Sequence, residues 1–181
     1  EEKQRWRACY PQQQTVGAHV LDMAEFMAMP GAFRDVRYLF STWGPPRFTE
    51  EELVEYMPNL EALFYGAGTV RFFCQPYFAR GVRIFTGRLG NAVPVAEFTA
   101  AQIVLANQGL FQMQALYRHE GYACAQAYSD GFDGNYEVKV GLLGAGAIGR
   151  QVIHLLKAYR LAVLVYDPYL NEEEAARLGV T

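Results

Sequence analysis

Short, densely apolar runs punctuate the first half of the chain, and each one stops at a turn residue. The stretches 36–41 (VRYLFS), 60–66 (LEALFYG) and 82–87 (VRIFTG) are rich in β-branched and aromatic side chains, the pattern of buried strands. Helices are expected between them. Thr49 followed by Glu50, Glu51 and Glu52 reads as a helix start, with the hydroxyl as cap and the acids on the positive end of the dipole; Leu53, Tyr56 and Met57 then supply one apolar face. Strands alternating with helices imply parallel strands joined by crossovers. From Val93 to Arg118 the period lengthens. Val95, Phe98, Ile103, Ala106, Leu110, Met113 and Leu116 recur at near-helical spacing, which predicts one long helix in a core or against a second copy. Pro and Gly cluster in STWGPPRFTEEEL and TGRLGNAVP, and a Gly/Asp/Tyr stretch, YSDGFDGNYE, comes later; the chain is divided accordingly into residues 1–91 and 92–181.

Residues 138–167 combine several signals. VKVGLLG is an apolar strand; Gly144, Gly146 and Gly149 follow at once; Ile148, Val152, Ile153, Leu155 and Leu156 then take helical spacing; and LAVLVYD is a second strand ending in Asp167. A bare GxGxxG is a weak signal, and glycines kept for packing alone are the competing reading. The surrounding strand, helix, strand and terminal acid favour a dinucleotide turn. Gly144 permits the tight bend, Gly146 lets backbone amides approach a pyrophosphate, and Gly149 lets the helix pack close to the strand. The phosphates sit on the free amides of the first helical turn, where the dipole favours negative charge, and Arg150 adds a cation. Asp167 lies where a carboxylate can take both ribose hydroxyls, and an acid there repels a 2′-phosphate, so NAD is expected rather than NADP.

Composition narrows the picture. About half of the 181 residues (51%) are apolar, enough for a sizeable core, and a net charge of −3 with scattered Lys and Arg gives no footprint for nucleic acid. Cys9, Cys74 and Cys124 have no metal-ligand spacing and read as reduced thiols; no metal site is expected. The charged start EEKQRWRACY and the absence of a run near 18 apolar residues point away from export and membrane spanning, leaving a cytoplasmic setting.

Three stretches in order carry a family likeness: LEALFYGAGTV, ARGVRIFTGRLGNAVPVAEFTAAQIVLA and VKVGLLGAGAIGRQVIHLLKAYRLAVLVYDP. Over roughly residues 36–181 the chain resembles the D-isomer-specific 2-hydroxyacid dehydrogenases. The resemblance implies an α/β fold: a flavodoxin-like parallel-sheet substrate domain followed by the first β-α-β half of a Rossmann domain that binds NAD. It implies that amides near Ala67 and Gly68 face a small 2-hydroxy or 2-keto acid, that Val95 lies near the nicotinamide, that Ala147 and Ile148 touch the pyrophosphate, and that Asp167 and Pro168 meet the adenosine ribose. Glu97 reads as a structural helix acid.

The family's chemistry also needs an Arg that binds and polarises the keto acid and a His paired with an acid for proton transfer. Those three are expected beyond Thr181, so no catalytic residue is assigned within the chain. His119 with Glu120 falls in what reads as a polar linker; His154 rides the helix after the glycines; His19 lies in the less readable start. All three are taken as ordinary residues. With two Rossmann strands, both edges of the pair are expected to be unpaired, which predicts little turnover alone and a homodimer or other self-association. A non-enzymatic NAD-sensing corepressor or dimerisation module on the same scaffold remains the alternative.

Overall fold

The computed structural model describes Ala8, residues 22–29 and residues 31–181, so Cys9 and His19 lie outside the described residues. The described chain forms two compact units that divide between Gly87 and Arg88, where the sequence reading divides it between 91 and 92.

In the first unit Asp22 opens α1 (Met23–Met27) through a capping box with Glu25. The strands β1 (Tyr38–Ser41), β2 (Ala62–Tyr65) and β3 (Arg83–Thr86) follow, separated by α2 (Glu50–Tyr56) and α3 (Gln75–Ala79). Thr49 caps α2 as its sequence predicts: the hydroxyl accepts from the Glu52 N–H (3.1 Å), and the Glu52 carboxylate accepts from the Thr49 N–H (2.8 Å). The sheet is parallel throughout, in the order β1-β2-β3, with Leu39, Leu63 and Ile84 in one register. Three consecutive parallel strands in sequence order are the run that a flavodoxin-like sheet carries on one side of its first strand. Alternation sends Leu63 and Tyr65 into the core with Leu53, Met57, Phe73 and Tyr77. Arg80 ties that core to the end of α2, donating to the carbonyls of Leu53 (2.8 Å), Met57 (3.3 Å) and Pro58 (3.0 Å), which adds a charged donor at the helix terminus. On the other face Phe40, Phe64 and Phe85 stack across the strands with successive centroids 5.0 Å apart.

The second unit begins with α4 (Arg88–Asn107), α5 (Leu110–Glu120) and α6 (Tyr122–Ser129). The single long helix expected from 93 to 118 is two helices. Gly109 adopts φ +68°, a left-handed conformation that interrupts the helix, and a Cβ at that position would meet the Phe132 ring at 2.5 Å. Asn135 fixes the end of α4, accepting from the Asn107 amide (3.0 Å) and donating to the Val104 carbonyl (3.1 Å). By length and composition α4 meets the requirement for crossing a membrane, with a mean hydropathy of 1.3, which the sequence reading had not found. Its Ala96 and Ala100 pack against the sheet and helix described next, while most of the helix surface is exposed.

Then come β4 (Tyr136–Leu143), α7 (Ala147–Leu156), β5 (Arg160–Tyr166) and α8 (Glu172–Leu178). β4 and β5 pair in parallel, so this is a β-α-β unit. Val152 and Leu156 of α7 join Ala96 and Ala100 over Val140, Leu142, Leu161 and Val163 on one face of the pair. The expectation that both strand edges are unpaired needs correcting. Thr181 N–H donates to the Val163 carbonyl (3.2 Å) and Thr181 carbonyl accepts from the Val165 N–H (2.8 Å), so the chain runs back alongside β5 after α8. β5 is thereby the middle element of a β4-β5-181 arrangement, the 3-2-1 side of a doubly wound sheet.

Candidate functional site

The bend between β4 and α7 is held from three sides. Gly144 N–H donates to the Tyr166 carbonyl (2.8 Å), which keeps the ends of β4 and β5 together, and Gly144 itself has φ +97°, a conformation open to glycine and costly for other residues. Gly149 is needed for a different reason. A Cβ there would run into the Gly144 carbonyl oxygen, so the first turn of α7 can lie against the bend only without a side chain. Gly146 meets neither condition: its backbone is extended (φ −74°, ψ −159°) and an added Cβ would have no atom within 4 Å. Nothing among the described residues requires glycine at 146. The space beside it is open.

Gly146 is the cap residue of α7 and offers no side chain to it; the first backbone bond of the helix is Arg150 N–H to the Gly146 carbonyl (3.0 Å). The amides of Ala147, Ile148 and Gly149 therefore have no acceptor within the helix and carry the positive end of its dipole. Three such donors in a cleared space fit a pyrophosphate.

Asp167 stands at the other side of the bend. Its carboxylate accepts from Ala145 N–H (2.6 Å) and Tyr169 N–H (2.8 Å). Those two backbone bonds hold its pKa below the usual aspartate value, with the nearby Arg150 charge acting the same way, so the group is an ionised acceptor at neutral pH. Each carboxylate oxygen keeps a further lone pair, which fits the hydroxyls of an adenosine ribose. Pro168 is exposed beside it. Arg150, expected to add a cation at the pyrophosphate, directs its guanidinium to Glu174 on α8 (2.7 Å).

The other sequence assignments are more scattered. Ala67 is fully buried and Gly68 half-buried in the bend that follows β2, at the carboxyl ends of the parallel strands of the first unit. Among the described residues neither of their amides meets an acceptor. Gly66 and Gly87 approach so closely next to that bend that a Cβ on Gly87 would lie 3.1 Å from the Gly66 carbonyl. Val95 is exposed on α4, next to fully buried Ala96. His119 and Glu120 lie on α5 and not in a linker, and Glu120 accepts from the Cys124 thiol (3.2 Å). His154 is exposed on α7, where with Glu97, Arg150 and Gln151 it lines a shallow depression between α4 and α7. Sequence reasoning missed Ala145, Tyr169 and the Arg150–Glu174 pair. One signal was available: Asn171 before three glutamates has the form that marks the start of α2 at Thr49, and Asn171 indeed caps α8 by accepting from Glu174 N–H (2.8 Å).

Residues 100–181 match the family model described as D-isomer specific 2-hydroxyacid dehydrogenase, NAD binding domain. Over those residues the chain is similar to that NAD-binding domain. D-3-phosphoglycerate dehydrogenase of Bacillus subtilis is 29% identical over 107 residues, 55% of this chain and 18% of that protein. The Synechocystis enzyme of the same name is 24% identical over 155 residues, 74% of this chain and 28% of that protein. The fold agrees over a wider span: a D-2-hydroxyisocaproate dehydrogenase matches 93% of this chain at 19% identity with a TM-score of 0.66, and a phosphoglycerate oxidoreductase from Rhizobium etli matches 98% at 20% identity with a TM-score of 0.64. These matches cover 50% and 53% of the solved chains, so this chain spans about half their length, and its alignments cover far less of the curated relatives. Over residues 100–181 the second unit is thus similar to a Rossmann-type NAD-binding domain.

Proposed function

We propose that this chain supplies the substrate-facing turn and the adenosine half of the cofactor site in an oxidoreductase that interconverts a D-2-hydroxy acid and its 2-keto acid. Gly146 carries the reading: the described residues leave its position open to a side chain, yet it is glycine, at the cap of a helix whose first three amides are free. NAD, when bound, supplies a nicotinamide carbon that accepts or gives hydride. Gly144, Gly146 and Gly149 shape the cradle, the amides of Ala147 and Ile148 hold the pyrophosphate, and Asp167 accepts from the ribose hydroxyls while Pro168 borders the sugar. Val95 shields the nicotinamide end from water. The amides of Ala67 and Gly68 hold the carboxylate of the acid, at the strand ends where open parallel sheets bind their ligands.

Neither described histidine is assigned to proton transfer. His119 has its neighbouring acid bonded to Cys124, and His154 is exposed on α7 with no hydrogen bond or ion pair to hold the ring. The expected outcome is nucleotide binding without efficient turnover by these residues alone. Isothermal titration with NADH should give heat, and NADH oxidation with glyoxylate, hydroxypyruvate or pyruvate should stay near the uncatalysed rate. Absence of heat contradicts the cofactor reading; robust turnover contradicts the assignment of both histidines.

Self-association belongs to the same proposal. Leu89, Phe98, Phe111, Tyr117 and Tyr122 are large exposed side chains on α4 to α6, and a second copy would remove that apolar area from water. Light scattering should report twice the mass of a single chain, and a monodisperse monomer contradicts it. The free thiols of Cys74 and Cys124 suit the reducing cytoplasm in which we place the protein.

A further inference from the structure

Arg150 lies one turn into α7, just behind the amides that face the pyrophosphate, and Glu174 lies in the first turn of α8, which follows the ribose-binding Asp167 by a few residues. The two side chains meet at 2.7 Å although 24 positions separate them, and both are only partly covered, at 40% and 28% exposure. An ion pair that open to solvent contributes little to stability. Asp167 is near enough for its charge to act on both partners, and Arg177 acts on Glu174 from the last turn of α8. Asp167 and the Arg150–Glu174 pair therefore form one charged group, two carboxylates and a guanidinium that one of them holds.

We propose that Glu174 is a specificity-determining residue: by pairing with Arg150 it withholds from the 2′ position the guanidinium that would otherwise bind a 2′-phosphate there. A phosphate brings a charge of roughly −1.5 to −2 and three acceptor oxygens, and an arginine fork is the protein group best matched to it. In this chain such a phosphate would meet Asp167 directly and find Arg150 already neutralised. The acid at 167 is thus half of the discrimination and the Glu174–Arg150 pair the other half. The inference rests on the placement of the adenosine ribose at Asp167.

The test needs only the half of the cofactor that this chain holds. Isothermal titration with ADP-ribose and with its 2′-phosphate gives a ratio of dissociation constants for the wild-type chain, for Glu174→Gln, and for Glu174→Gln combined with Arg150→Met. Glu174→Gln should lower the ratio, in favour of the phosphorylated ligand, by at least about tenfold, and adding Arg150→Met should return it to within about threefold of wild type. An unchanged ratio in Glu174→Gln overturns the inference, as does a lowered ratio that survives the loss of Arg150, which would make the effect one of net charge alone. If wild type binds ADP-ribose, either result leaves the cofactor reading standing. If it does not, the cofactor reading fails and this inference with it.

Discussion

Gly146→Val abolishes NAD binding and leaves the fold in place. Valine is tolerated at the extended backbone of position 146, and its Cβ meets no atom within 4 Å, so the thermal transition should shift by no more than a few degrees. The same side chain stands where a pyrophosphate must come to reach the amides of Ala147, Ile148 and Gly149. If those donors are the main contact for the pyrophosphate, as proposed, affinity should fall by at least about 100-fold in a titration with NADH. A variant that binds as wild type does would show that the space before α7 is not the ligand's.

Gly149→Val has the opposite signature. Its Cβ collides with the Gly144 carbonyl oxygen, a backbone atom fixed by the bend, and no side-chain rotation relieves the contact. The helix must lift from the strand ends, taking Val152 and Leu156 away from Val140 and Leu161. Urea unfolding followed in the second unit should show a loss of about 3 kcal/mol or more, at the upper end of single substitutions because backbone strain and core packing fail together. A loss under about 1 kcal/mol would mean that the bend is softer than its contacts imply. Set beside each other, the two variants separate a glycine that serves the ligand from a glycine that serves the fold, although the motif writes both with the same letter.

That difference marks how far the sequence can be read. The elements around the bend are legible because apolar period and flanking turn residues agree: VKVGLLG and LAVLVYD become β4 and β5, and Ile148 to Leu156 becomes α7. The capping box at Thr49 is local chemistry within four residues and is found where the sequence places it. The break between α4 and α5 is hidden, because apolar spacing continues through Gly109 and the cause, a left-handed backbone beneath the Phe132 ring, lies 23 positions away. Periodicity also overstates burial. Ile148 and Leu155 fit the helical pattern, yet they are half exposed, while Val152, Ile153 and Leu156 fill the core. Period identifies a helix but cannot say which edge of its apolar arc meets a neighbour. The Arg150–Glu174 pair and the return of Thr181 along β5 depend on tertiary placement, for which single residues give no signal.

The central claim is that main-chain amides at one helix start grip the pyrophosphate of NAD while an ionised Asp167 seats its ribose. Nitrogen-edited NMR of the isotopically labelled chain during addition of NAD tests it residue by residue. The largest shifts should fall on the amides of Ala145, Ala147, Ile148, Gly149 and Tyr169, with those of α6 unmoved. Unchanged signals at 145–149, or shifts concentrated elsewhere, would contradict the account.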